Sequence, residues 1–148
     1  MASRRPTTVL VVVTAVIVAL AVVVLAFSIG RNVTDYDETT PEGVAQSYLT
    51  AAFDGDFDLA ARYIESGSDC DADDLDRAFI QENARISLVD SSIDGDRARV
   101  RITAEFPSGG PLGGFYEEEH TLRLVRVGTD WMLTGIPWPL YDCDAANK

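Results

Sequence analysis

The chain has 148 residues, 47% of them hydrophobic, with 24 acids, 12 bases and a formal net charge of −12. The charge is uneven: residues 1–31 hold +3 and residues 32–148 hold −15. A body so acidic lacks the Lys and Arg that phosphate contacts need and is repelled by an anionic lipid surface, so nucleic acid is not expected as a partner.

Thr7–Ile29 is a run of 23 residues without a charge. As a continuous helix it would extend ~35 Å, enough to cross a ~30 Å hydrocarbon core with some tilt. Its apolar core is longer than that of a signal peptide, and the nearest cleavage-like site, Ala26-Phe27-Ser28, is weak. Nine Val, two Ile and three Thr lower its helix propensity in water. In lipid the backbone must satisfy itself, so an uncleaved spanning helix is predicted. Arg4 and Arg5 outweigh Arg31, which predicts a cytoplasmic N-terminus (residues 1–6), a single-pass cell-membrane anchor and an extracytoplasmic C-terminal domain. Residues 30–40 read as a polar stalk, leaving residues 41–148 as one domain.

Thr40-Pro41-Glu42 is a helix start: a capping hydroxyl, a proline suited to the first turn, and an acid at the positive end of the dipole. Val44, Tyr48, Leu49 and Ala52 form its apolar face, and Asp54-Gly55-Asp56 ends it. A second helix is predicted from Phe57 to about Ile64, with Leu59, Ala60, Tyr63 and Ile64 on one side. A third is predicted from about Asp73, as cap, to Asn83, with Leu75, Ala78 and Phe79 inward. The period then becomes two. Ala84–Ile93 alternates, Asp94-Gly95 signals a hairpin, and Ala98, Val100, Ile102, Ala104 and Phe106 alternate with Arg97, Arg99, Arg101, Thr103 and Glu105. After the loop Pro107–Gly114 come strands over Phe115–Val127 and Trp131–Ile136. Pro137-Trp138-Pro139 cannot continue a ladder, so the tail should cross the domain. Helices followed by an antiparallel meander predict an α+β fold, about three helices packed on one face of a sheet of about four strands.

Gly55-Asp56 within FDGDFDLA, Asp94-Gly95-Asp96 within IDGDRARVRI, and Gly128 with Trp131 within LRLVRVGTDWML occur in an order and spacing that resembles the NTF2-like superfamily. The likeness is to its small bacterial membrane-anchored members of the DUF4878 kind and covers roughly residues 41–136. It implies a cone whose mouth can hold a small molecule, in a family that includes enzymes as well as binding and scaffold modules.

Cys70 and Cys143 are the only cysteines, and outside the cytoplasm an even count reads as a disulfide. Closing so long a loop stabilises by roughly 4 kcal/mol in the chain-entropy model. The acidic run Asp69–Asp76 fails the calcium-loop pattern, since Asp74 and Ile80 stand where Gly and Glu are needed. It is expected to be a solvated, helix-capping loop, with no metal. The single histidine, His120, shares strand parity with Leu122 and Leu124 and so should face the apolar side of the sheet. Nothing resembling an activated nucleophile accompanies it, and no catalytic residue or cofactor is assigned. Glu117, Glu118 and Glu119 are expected to pair across the sheet with Arg97, Arg99 and Arg101. Asn32-Val33-Thr34 matches a glycosylation sequon but is assigned no role.

Tyr48, Tyr63, Phe106, His120, Trp131 and Trp138 are the candidate pocket or partner contacts; Phe115, Tyr116 and Tyr141 are further aromatics of the same region. The expected function is a non-enzymatic, membrane-anchored binding or scaffold domain for a protein partner or a small apolar ligand. The alternatives are an NTF2-like isomerase or hydrolase using a pocket His or Asp, and an accessory subunit of an envelope or secretion complex.

Overall fold

The computed structural model describes residues 10–17, 34–81, 83–109 and 113–143. The chain divides into two units, Met1–Thr34 and Asp35–Lys148.

In the first unit residues 10–17 are helical and exposed. The eight described helical residues rise ~12 Å. No helix among the described residues is long and apolar enough to cross a membrane. This overturns the spanning helix expected over Thr7–Ile29 and the single-pass placement built on it; residues 7–9 and 18–29 lie outside the described residues. The physical reason is that hydropathy measures aversion to water, whereas spanning also requires a helix long enough to cross a ~30 Å core, and the described helical residues 10–17 fall short of that. Asn32 and Val33 of the sequon also lie outside the described residues.

The second unit is α+β. It contains α1 (Pro41–Phe53), α2 (Phe57–Ala61) and α3 (Ala72–Arg77), then β1 (Arg85–Asp94), β2 (Arg97–Pro107), β3 (Phe115–Val127) and β4 (Asp130–Leu133). The four strands form one antiparallel sheet in the order β1-β2-β3-β4. The helices lie on one face of it, and Tyr48, Leu75, Val100, Leu122, Leu124 and Leu133 are fully buried between the two layers.

Local chemistry explains the starts and stops. Thr40 caps α1, its hydroxyl accepting from Gly43 N at 3.1 Å. Asp56 caps α2, accepting from Leu59 N at 3.0 Å. At α3 the cap is Asp71 rather than Asp73. Asp71 accepts from Asp73 N and Asp74 N, while Asp74 accepts from Asp71 N at 2.9 Å in a reciprocal capping box. The capped helix is short and ends at Arg77, well before Asn83, so Phe79 leaves the core and is 86% exposed. α2 likewise stops at Ala61: Glu65 N donates to Leu133 O at 2.8 Å and Leu133 N donates to Tyr63 O at 2.7 Å, drawing residues 63–65 alongside β4. β4 itself ends at Leu133 rather than Ile136, because Gly135 turns the chain with φ 75°.

Residues 35–40, read from composition as stalk, fold back onto α1. Tyr36 N donates to Gln46 Oε1 at 2.9 Å and Ser47 Oγ to Glu38 Oε1 at 2.9 Å. Gly43 permits this approach, since a Cβ there would stand 2.0 Å from Asp37 O. Cys70 and Cys143 form a disulfide, Cα–Cα 5.1 Å, which fastens the tail to the segment leading into α3.

Candidate functional site

Alternation along β3 turns Leu124, Leu122, His120, Glu118 and Tyr116 to the helix-covered face, opposite Ala98, Val100, Ile102, Ala104 and Phe106 of β2. The first two are buried among the helices. The last three continue along the same strand to where the cover thins. Here the tail supplies the roof. Leaving the ladder at Thr134, whose N–H donates to Arg123 O at 2.9 Å, the chain runs back along β3 and buries Pro137, Trp138, Pro139 and Leu140.

Trp138 stacks on His120, ring centroids 4.7 Å apart and planes 21° apart, and is tilted against Phe53 of α1 at 5.8 Å. Tyr48, buried on α1, brings its hydroxyl to 3.5 Å from Pro137 O, and burial pushes its phenol pKa up, since a phenolate there would lose its solvation. Beyond His120, Phe106 stacks on Tyr116 at 5.1 Å, and the Tyr116 hydroxyl lies 3.4 Å from Gln81 Oε1.

The polar atoms of this strip are incompletely satisfied. His120 Nε2 is 3.3 Å from Glu118 Oε2, within ion-pair distance but without hydrogen-bond alignment. Trp138 is 7% exposed, and its indole N–H has no hydrogen-bond partner among the described residues. A buried donor left unmade costs about 1–3 kcal/mol. The strip is thus apolar in body, with the indole N–H of Trp138 unmet among the described residues at its covered end and Glu118 and Tyr116 partly exposed at its open end.

Of the six residues the sequence singles out, Phe106, His120 and Trp138 meet here, with Tyr48 behind the tail. Tyr63 instead faces residues 35–40, its hydroxyl 3.4 Å from Glu38 Oε1. Trp131 is buried on β4 under the Arg126 guanidinium, 4.4 Å from the ring centroid. Glu118, Tyr116, Gln81 and Phe53 also belong to the site. Strand parity with His120 was the signal for the first two; Gln81 and Phe53 arrive only through packing.

The acidic features are structural. Arg101 pairs with Asp90 and, at 3.3 Å, with Glu119. Arg97 and Arg99 do not meet the glutamates, because the register sets them opposite Val125 and Arg123. Among the described residues no group of three or more His, Cys, Asp or Glu is placed to hold a metal ion. Asp74, buried, pairs with Arg77 at 2.5 Å.

No protein-family model matches the chain, and no curated protein matches it either. Two solved structures are similar. One is the solution structure of RPA3114, a SEC-C motif containing protein from Rhodopseudomonas palustris, at 16% identity over 68% of this chain and 79% of that one, with a TM-score of 0.47. The other is a variant of Rv3472, a protein of unknown function from Mycobacterium tuberculosis, at 16% identity over 62% of this chain and 64% of that one, with a TM-score of 0.43.

Proposed function

We propose that the α+β unit is a non-enzymatic binding module, and that its site is the strip of β3 roofed by Trp138. The observation that carries this reading is the buried indole N–H of Trp138, without a hydrogen-bond partner among the described residues and borne on a ring stacked on His120 at the covered end of an otherwise apolar strip. A ligand with an apolar body and one hydrogen-bond acceptor would satisfy the indole N–H while packing against Phe106 and Tyr116. Glu118, 3.3 Å from His120 Nε2, disfavours an anion, so the acceptor is a neutral carbonyl or hydroxyl oxygen.

The same proposal takes the unit as an NTF2-like domain of the DUF4878 kind. Its support is the order of three helices and then a four-strand meander, with the helices on one face. The acidic balance of residues 32–148 supports leaving nucleic acid out of the partners.

The test is a titration of the full chain with 2-octanone, a neutral apolar ketone, read by the Trp138 indole N–H resonance and by tryptophan fluorescence. A saturable downfield shift of that resonance, lost in Trp138→Phe and weakened in His120→Ala, is the expected result. An indole resonance that does not move, or a shift equally present for octanoate, would count against the reading.

A further inference from the structure

We infer that the outer edge of β1 is a homodimer interface, joining two copies of the chain through an antiparallel β1–β1 ladder about a two-fold axis between Val89 and Asp90. The two edges of the sheet are treated differently. β4 is short, and its outer side is closed by the parallel bridge Ile64↔Leu133. β1 is 10 residues long, and among the described residues no backbone group outside the sheet bonds to its outer side. It carries no Pro, Gly or Lys to discourage pairing, and it shows Leu88, Val89 (49% exposed) and Ile93 (56% exposed) to solvent.

The occupant is read from the strand's own pattern. The ladder to β2 slips between Leu88 and Asp90, so Val89 is a bulge and side-chain parity inverts across it. Ile86 and Leu88 lie on the same face as Ser91 and Ile93, while Arg85 and Ser87 share the other face with Asp90, Ser92 and Asp94. A second β1 therefore matches faces when the first half of one copy meets the second half of the other. The register that overlaps all ten residues sets Ile86 against Ile93, Leu88 against Ser91, and Arg85 against Asp94, each pair occurring twice.

The peptide groups agree with that register. The two-residue Gly95-Asp96 turn closes on Asp94↔Arg97, a hydrogen-bonded pair, so alternation points the N–H and C=O of Ile93 and Ser91 outward and, across the bulge, those of Leu88 and Ile86. These are the residues that face one another in the two-fold ladder. Charge is complementary at both ends. Asp94 has no ion pair among the described residues, and Arg85, whose side chain is 64% exposed, makes only a 3.3 Å contact with Glu105. A single strand with a basic first residue, an acidic last residue and an Ile86–Ile93 apolar match between them fits a reversed copy of itself.

The decisive experiment uses charge reversal in the full chain, followed by sedimentation velocity. Arg85→Asp sets acid against acid at both ends of the ladder, and Asp94→Arg sets base against base. Each variant alone should lose the dimer that the wild type forms, and an equimolar mixture of the two should regain it, because each then meets its opposite. Both positions are exposed, and unchanged far-UV circular dichroism confirms folding. Register is read separately. Ser87→Cys and Ser92→Cys should cross-link as a mixture and not singly, since residue 87 of one copy stands opposite residue 92 of the other. A monomeric wild type, a dimer indifferent to both reversals, or a mixture that stays monomeric overturns the inference.

Discussion

The two halves of β3 have the same parity and the same face, yet they behave differently. Leu122 and Leu124 are closed off by the helices and β4, whereas His120, Glu118 and Tyr116, two to six residues before Leu122, keep partial exposure and polar atoms. The difference is not in the strand but in what covers it. The helical layer covers the C-terminal half, which β4 flanks within the sheet, and the N-terminal half is roofed by an irregular tail. A core half excludes ligands by being full; a half roofed by a tail can keep an unmet donor such as the Trp138 indole N–H beside its edge.

Perturbations should separate the halves. Removing the Cys70–Cys143 disulfide with paired Ser substitutions frees the tail across a sequence separation of 73. The loss should be about 4 kcal/mol in urea unfolding, from the loop-entropy model. Tryptophan emission should shift to the red as Trp138 leaves His120. Within the core half, Leu124→Ala should cost about 3 kcal/mol by the same measurement, because a buried leucine leaves a cavity that its neighbours fill only in part.

Tyr48 gives a pH signature. Its folded pKa is raised by burial, so the stability it contributes is complete below the unfolded value of about 10 and declines as pH rises above it, by up to about 1.4 kcal/mol per pH unit. Tyr48→Phe should flatten that alkaline decline; an unchanged slope would place the titrating group elsewhere. In the tail-roofed half, Trp138→Phe keeps most of the apolar contact and removes the indole N–H, so its cost should stay below about 1.5 kcal/mol. Glu118→Gln, at a partly exposed position, should move stability by no more than about 0.5 kcal/mol. Under the proposed binding role it should also let anionic probes bind more tightly than they bind the wild type.

Much of the α+β unit was legible in the sequence because its signals are local. Thr40 and Asp56 cap their helices through side-chain oxygens that reach only three residues ahead. The alternation from Ala98 to Phe106 needs nothing beyond a pleated strand with one buried face, and the cysteine pair needed only an even count. Where the reading failed, a competing local cap or a non-local register had won. Phe79 looked like the inner face of a longer third helix, but the capping box starts that helix at Ala72 and it stops at Arg77. The glutamates were matched to the wrong arginines because register depends on where the hairpin closes, and only Arg101 reaches Glu119. The stretch Thr7–Ile29 was read from its uncharged length, its weak cleavage site and its flanking arginines, and among the described residues no helix of spanning length accompanies it.

By itself, then, the sequence determined the order of the elements, the face of each strand that goes inward and the presence of a cross-link, since period, caps and cysteine count act within a few residues or by simple number. Tertiary structure alone decided that the tail turns at Gly135 to lay Trp138 on His120, that Tyr63 and Trp131 stand apart from that strip, and that, among the described residues, one sheet edge is bridged while the other is not. Those outcomes depend on contacts between residues far apart in the chain, where packing and register choose among partners that local chemistry leaves equivalent.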